Sequence, residues 1–186
     1  MTILSPEEAI GRLHADREIL LARVTGLTEA QLDADYLVNS GPLGDFCRSL
    51  HDLIAHVLMW DEINLAVLTD AVAGRPHWSL DPRWEDPAVG QALNRGGVEA
   101  SRHLPASLLL HRFESVHDAI LEDLGRLSKE SWNDAPQGAQ GVGALAQRVW
   151  TVPGQPAYWH AAIHLGQVPS TMPVAGHQPR KGSRSA

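Results

Sequence analysis

The stretch "SLHDLIAHVLMWDEINLAVLTDAVAG", Ser49 to Gly74, constrains the fold more than any other part of the chain. Leu50, Leu53, Ile54, Val57, Leu58, Ile63, Leu65, Val67 and Leu68 recur at helical spacing and cover much of the circumference. Ser49 three residues ahead of Asp52 makes a capping-box-like start, and Gly74 a stop. A helix apolar over so much of its surface must lie between other helices. The stretch therefore predicts an all-α four-helix bundle with this helix at its centre.

Three further helices can be placed. The first has Ser5 as N-cap, Pro6 at its first position and Glu7 and Glu8 at the positive end of its dipole. It continues through Ile10, Leu13, Arg17, Leu20, Leu21 and Val24 and stops at Gly26. Another runs from about Pro105 to Leu127, with Leu109, Phe113, Val116, Ile120 and Leu124 as its core stripe. The last begins near Pro156, after the turn "PGQP". What lies between reads as long loops: a short capped turn in "LTEAQLD", then a segment from Gly74 to Gly97 carrying Trp78 and Trp84, then the glycine-rich "QGAQGVGALAQ". No strand pattern and no repeat is visible. Residues 1–168 are expected to form the bundle, and residues 169–186 a disordered polar tail.

Composition narrows the partners. The formal net charge of −7 disfavours nucleic acid and anionic membranes, which need a positive face. No apolar run approaches the ~20 residues of a membrane span. The N-terminus lacks the basic and apolar regions of a secretory signal. The single cysteine, Cys47, excludes an internal disulfide and fits a reducing compartment. The expectation is a cytoplasmic protein acting on a small molecule, with no nucleic acid and no membrane partner.

Ten histidines are the compositional oddity. In "YWHAAIHLGQ", His160 and His164 are four residues apart, hence on one helix face, where two imidazoles can grip one metal ion. By itself the spacing fits equally a histidine pair without metal, so a third ligand is needed. Metal ligands in a helical bundle project inward from facing helices. His56 lies between Ile54 and Val57 in the apolar part of the second helix, where an unpaired ring is costly to bury. The alternative is a core histidine satisfied by a hydrogen bond. His51, near the helix start, points elsewhere.

A capped helix reading Ser-x-x-Asp-x-x-x-His (Ser49, Asp52, His56), a middle helix, and a final helix reading His-x-x-x-His-x-x-Gln (His160, His164, Gln167) together resemble the DinB/YfiT-like family of metalloenzymes. The resemblance spans roughly Ser5 to Gln167. It implies a bundle holding a divalent metal, zinc or nickel, on His56, His160 and His164. Trp60 and Asp61 resemble the aromatic-acidic pair that follows the first ligand in that family. Arg48 stands where the family usually has Trp. The family includes mycothiol-dependent maleylpyruvate isomerase-like and bacillithiol or mycothiol transferase-like members.

Three neutral imidazoles leave a coordination position open, the mark of a catalytic site as opposed to a closed structural one. The resemblance thus implies a thiol-dependent S-transferase or isomerase using mycothiol or bacillithiol as cosubstrate on a small electrophile. A residue usage rich in Ala, Arg, Leu, Gly and Pro, with one Lys before the tail, points to a high-GC and hence actinobacterial source, favouring mycothiol. Asp61 and Glu62 are the candidate catalytic bases. Asp52, one turn before His56, is placed to orient its ring, with Gln167 one turn beyond the final pair. Trp60, Trp159, Arg75, Arg83 and Arg95 are candidate substrate-binding residues, the arginines as carboxylate clamps. For the acids and arginines a solvated surface role is the competing reading. Cys47 is read as structural in preference to nucleophilic. Two other functions stay open: a metal-dependent hydrolase protecting against a natural product, and a non-catalytic small-molecule-binding bundle. Bundles of this type commonly pair, so a homodimer is expected.

Overall fold

The computed structural model describes residues 3–39, 46–81, 86–134, 144–151 and 155–169. Among them are seven α-helices: α1 (Pro6–Val24), α2 (Glu29–Leu32), α3 (Leu50–Val72), α4 (Pro87–Ser101), α5 (Ala106–Arg126), α6 (Lys129–Asn133) and α7 (His160–Leu165). Short 3-10 turns at Trp78–Leu80 and Leu145–Gln147 complete the regular structure. The fold is all-α; the one β pairing among the described residues is an isolated bridge between Asp35 and Ser49.

The apolar second helix of the sequence is α3, and it is central. It packs on α5, α4 and α7, and every residue from Leu50 to Leu58 is buried. Ser49 Oγ accepts the Asp52 N–H at 3.0 Å, closing half of the capping box. The Asp52 carboxylate reaches back one residue further than a capping box requires, to the N–H of Arg48 at 3.0 Å. At α1 the box is complete, Ser5 and Glu8 each capping the other's backbone. Helix α5 begins at Pro105 with no side-chain cap of its own; the Glu29 carboxylate of α2 accepts the Ala106 N–H in its place, at 3.0 and 3.1 Å.

Two apolar clusters divide the core. One joins Leu20 and Val24 of α1 to Leu53, Ile54 and Val57 of α3 and to Leu109 and Phe113 of α5. The other collects Leu13, Leu68, Ile120, Leu124, Trp132 and Tyr158. Burying each of these side chains stabilises the fold by roughly 1.5–3 kcal/mol before the cost of ordering it. Helix α7 sits at the junction: Ala161 and Leu165 belong to the first cluster, while Trp159, Ala162 and Ile163 pack on Ala15 and Ile19 of α1.

Three expectations are corrected. The segment from Gly74 to Gly97 is not a loop throughout, because α4 starts at Pro87 inside it. Asp86 caps that helix through the Ala88 N–H at 2.8 Å, and Pro87 occupies its first turn. Gly90, Gly96 and Gly97 lie within α4, which Val98 anchors in the core. The last helix does not begin near Pro156. Tyr158 has φ 65° and Trp159 φ −127°, neither helical, so α7 starts at His160 and spans six residues. Gly166, at φ 67°, ends it. Thirdly, α6 lies between the long helix and the glycine-rich segment, on a Ser128 cap and the buried Trp132. Most of "QGAQGVGALAQ", together with Trp84, Arg83 and the tail from residue 170, lies outside the described residues.

The two adjacent glycines of α4 should respond in opposite ways to alanine. Gly96 faces open space, so Gly96→Ala gains the ~0.5–1 kcal/mol that a helix-interior glycine forfeits. A Cβ at Gly97 would run into Met59 of α3, 2.9 Å from its Cγ and 3.2 Å from its Cβ, and closer still to its sulfur. Thermal melts should show Gly96→Ala above wild type and Gly97→Ala below it. No helix among the described residues is long and apolar enough to cross a membrane.

Candidate metal centre

His56 projects from α3, and His160 and His164 from α7, and all three are buried. Their rings form a near-equilateral triangle, with centroids 4.9 Å apart for His56–His160 and 5.1 Å for each of the other two pairs. One ligand nitrogen from each residue lies within 4.8 Å of the others. His56 Nε2 stands 3.0 Å from His160 Nε2.

The tautomer of His164 is set by the backbone. Its Nδ1–H donates to the Asn39 carbonyl at 2.9 Å, so the lone pair is left on Nε2. Asn39 returns the contact, its N–H donating to the His164 carbonyl at 2.7 Å. Asn39 ends a strap that starts at the head of α3, where the Tyr36 N–H donates to the Arg48 carbonyl at 2.7 Å. The strap therefore ties the two ligand-bearing helices together. By contrast, His56 Nδ1 is buried without a hydrogen-bond partner among the described residues.

Burial, then repulsion from His164, lowers the His56 pKa to about 3. Burial, then His56 and His164, holds His160 well below its ordinary value. At neutral pH these two rings are uncharged, and their Nε2 atoms meet in a buried space. Such a cluster lacks a positive partner, and a divalent ion of the zinc or nickel type would supply one through a nitrogen donor set it prefers. The residues fit the group.

Two further carboxylates are buried, Asp16 on α1 and Asp61 on α3. Asp61 accepts the Trp150 indole N–H at 2.9 Å. Burial raises its pKa to about 7, against the lowering effect of that bond and with help from Asp16 and Glu62. Asp16, raised by burial to about 6, accepts the N–H groups of Ala161 at 3.0 Å and Ala162 at 2.8 Å. Trp150 holds a left-handed φ of 45°, strained for a bulky residue, and its carbonyl accepts the Tyr158 N–H at 2.9 Å.

The other candidate residues are placed elsewhere. Glu62 is paired with Arg112 at 2.5 Å, between α3 and α5. Asp52 pairs with Arg102 at 3.3 Å and the Arg48 N–H, not with the ring of His56. Trp60 donates to Asn94 at 2.6 Å, fastening α4 to α3. Trp159 is buried against α1 and presents no open face. Gln167 is exposed, its N–H closing α7 on the Ala162 carbonyl at 2.8 Å. Arg75 bonds Asp70, Arg95 lies over the Phe46 ring, and Arg83 is outside the described residues. Arg95 and Asp52 both line a cleft of about 480 Å³ at the head of α3, with Arg48 and Arg102. Cys47 is buried, which pushes its thiol up to about 12, so it is no nucleophile at neutral pH. His51 donates to the Leu104 carbonyl at 2.8 Å and turns away from the triad.

Sequence reading missed Asp16, Asn39 and Trp150. Only Asp16 left a signal: it occupies the buried face of α1 with Ala9, Leu13, Leu20 and Val24.

A second histidine pair supplies a pH prediction. His117 Nε2 lies 3.4 Å from His14 Nδ1, and burial, with help from His14 and Arg17, lowers the His117 pKa to about 4. A depressed folded-state value means stability that is present above about 6.5 and lost as the pH falls through 4. His56 acts in the same sense, whereas Asp16 and Asp61, with raised values, lose stability as the pH rises through about 6 and 7. Calorimetry of metal-free protein between pH 6.5 and 4 should therefore show His117→Gln losing less than wild type.

The DinB superfamily model matches residues 12–168, a span that contains all three histidines, Asp16 and Asp61. No curated protein and no solved structure matches the chain.

Proposed function

Because the chain belongs to the DinB superfamily, we propose that His56, His160 and His164 hold one zinc or nickel ion in an enzyme that transfers a low-molecular-weight thiol to a small electrophile, or uses it in an isomerisation. Mycothiol is the favoured thiol. The observation that carries this reading is the convergence of three buried imidazoles from two helices, with two of them held uncharged at neutral pH. When bound, such an ion supplies Lewis acidity that makes a thiol or a water nucleophilic at cellular pH.

The chain's own groups supply the rest. His164 is fixed in one tautomer by Asn39. Asp61, with a pKa of about 7, can accept a proton at Oδ2 and release it again near neutral pH while Oδ1 stays on Trp150. Glu62 remains tied to Arg112 and keeps α3 in register with α5. The cleft at the head of α3 is lined by Arg48, Arg95 and Arg102 together with Asp33, Asp35, Asp52 and Glu99, a mixed-charge surface that does not select a carboxylate.

The test is a screen of zinc- or nickel-loaded protein with a thiol panel and small electrophiles, following thiol loss and product mass. The expected result is thiol-dependent turnover that needs the metal and falls about 100-fold in Asp61→Asn, a typical loss for a proton-transfer residue. Addition of water without thiol would assign a hydrolase instead. Absence of any turnover by loaded protein would contradict the enzyme reading and leave a binding bundle.

A further inference from the structure

We propose that Asp16, on a helix that carries none of the three histidines, is the positioning residue of the metal centre: it holds α7 in the register that aims His160 and His164 at His56. The proposal rests on the metal reading above and concerns how the site is built.

Helix α7 is too short to hold itself. Six residues lie far below the length at which a helix is stable alone, and its first N–H groups need acceptors. Trp159, at the N-cap position, offers no side-chain bond. Asp16 provides the missing acceptors from α1: Oδ2 takes the Ala161 N–H at 3.0 Å and Oδ1 the Ala162 N–H at 2.8 Å. Both oxygens are used, both bonds are charge-assisted, and the negative group sits at the positive end of the helix.

These two amides belong to the residues between the histidines. His164 has a second tether in Asn39, whereas among the described residues the His160 ring hydrogen-bonds to the ring of His56 alone. The aim of His160 thus follows the backbone, and the backbone is fixed at this point by Asp16. The location of Asp16 argues against chance. It occupies a core position of α1, between Leu13 and Leu20, where a carboxylate is costly to bury unless its bonds are made. An apolar residue there would pack as well and leave α7 uncapped.

A purely structural cap would lower stability without moving metal affinity, so the two must be measured together. The full-length chain is compared as wild type, Asp16→Ala, Asp16→Asn and Ser5→Ala. Zinc affinity is read by competition with a chromophoric chelator, and backbone amide exchange by NMR on the metal-free proteins. Expected are a 10–100-fold weaker zinc affinity in Asp16→Ala, an intermediate value in Asp16→Asn, whose amide oxygen keeps one of the bonds, and a lower melting temperature but unchanged zinc affinity in Ser5→Ala. The amides of Ala161 and Ala162 should exchange at least tenfold faster in Asp16→Ala, while those of α5 do not. Zinc binding within twofold of wild type in Asp16→Ala, or in Asp16→Asn should the alanine variant not fold, would overturn the proposal. A wild type that binds no zinc would sink the metal reading alone. The exchange rates would then decide on Asp16, unchanged protection at Ala161 and Ala162 refuting its role.

Discussion

Zinc at a thousandfold excess over its dissociation constant should stabilise the untagged wild type by about 4 kcal/mol, and His160→Ala hardly at all. For a chain of this length that corresponds to a rise of roughly 8–16 °C in melting temperature. His160 is chosen because it faces both other histidines at short range. Its Nε2 faces that of His56 at 3.0 Å, and its ring lies 5.1 Å from that of His164. Without it, one ligand from α3 and one from α7 remain. The metal-free comparison is informative too. Wild type buries three imidazole rings, and His160→Ala removes the His56–His160 hydrogen bond as well as leaving a cavity. A melting temperature that rises equally in wild type and His160→Ala would place the ion elsewhere, for example on the His14–His117 pair.

The largest stability loss is expected at Trp132. This residue is fully buried, donates its indole N–H to the Leu4 carbonyl at 2.9 Å, and lies 6.2 Å from the Tyr158 ring. Trp132→Ala removes that bond and the centre of the second apolar cluster, a change that typically costs about 3–5 kcal/mol. The expected fall in melting temperature is roughly 6–20 °C. Trp78, which is 51% exposed, is the internal comparison: Trp78→Ala should stay within about 0.5 kcal/mol of wild type. Differential scanning calorimetry of the two variants makes the test. Because Tyr158 lies two residues before the ligand helix, Trp132→Ala should also weaken zinc binding. A Trp132→Ala protein as stable as wild type would mean that α6 is an appendage and not part of the core.

What the sequence disclosed follows from how local each signal is. Helix α3 was legible because burial on all sides writes itself as an apolar run. The ends of α1 were legible because Ser5, Pro6 and Glu8 act within one turn. Helix α4 was hidden inside a segment that reads as a loop; its place depends on Val98 reaching the core and on α3 approaching Gly97 closely, both contacts distant in sequence. Helix α7 was overextended because the left-handed turn at Tyr158 has no glycine to announce it. At the site, the three histidines could be found from spacing and apolar context. Asn39 and Trp150 could not, since one acts through its backbone and the other through a strained loop conformation. Asp16 stood in view as a charge on an apolar face, but its partners are 145 and 146 residues away.

The central claim is that His56, His160 and His164 share one metal ion with a position left open. X-ray absorption at the zinc edge, on untagged protein reconstituted with one equivalent, tests it most directly. The prediction is three imidazole nitrogens at about 2.0–2.1 Å, with one further light ligand completing a four-coordinate site. A spectrum with one imidazole or none, dominated by solvent-like oxygen in six-coordinate geometry, would contradict the account.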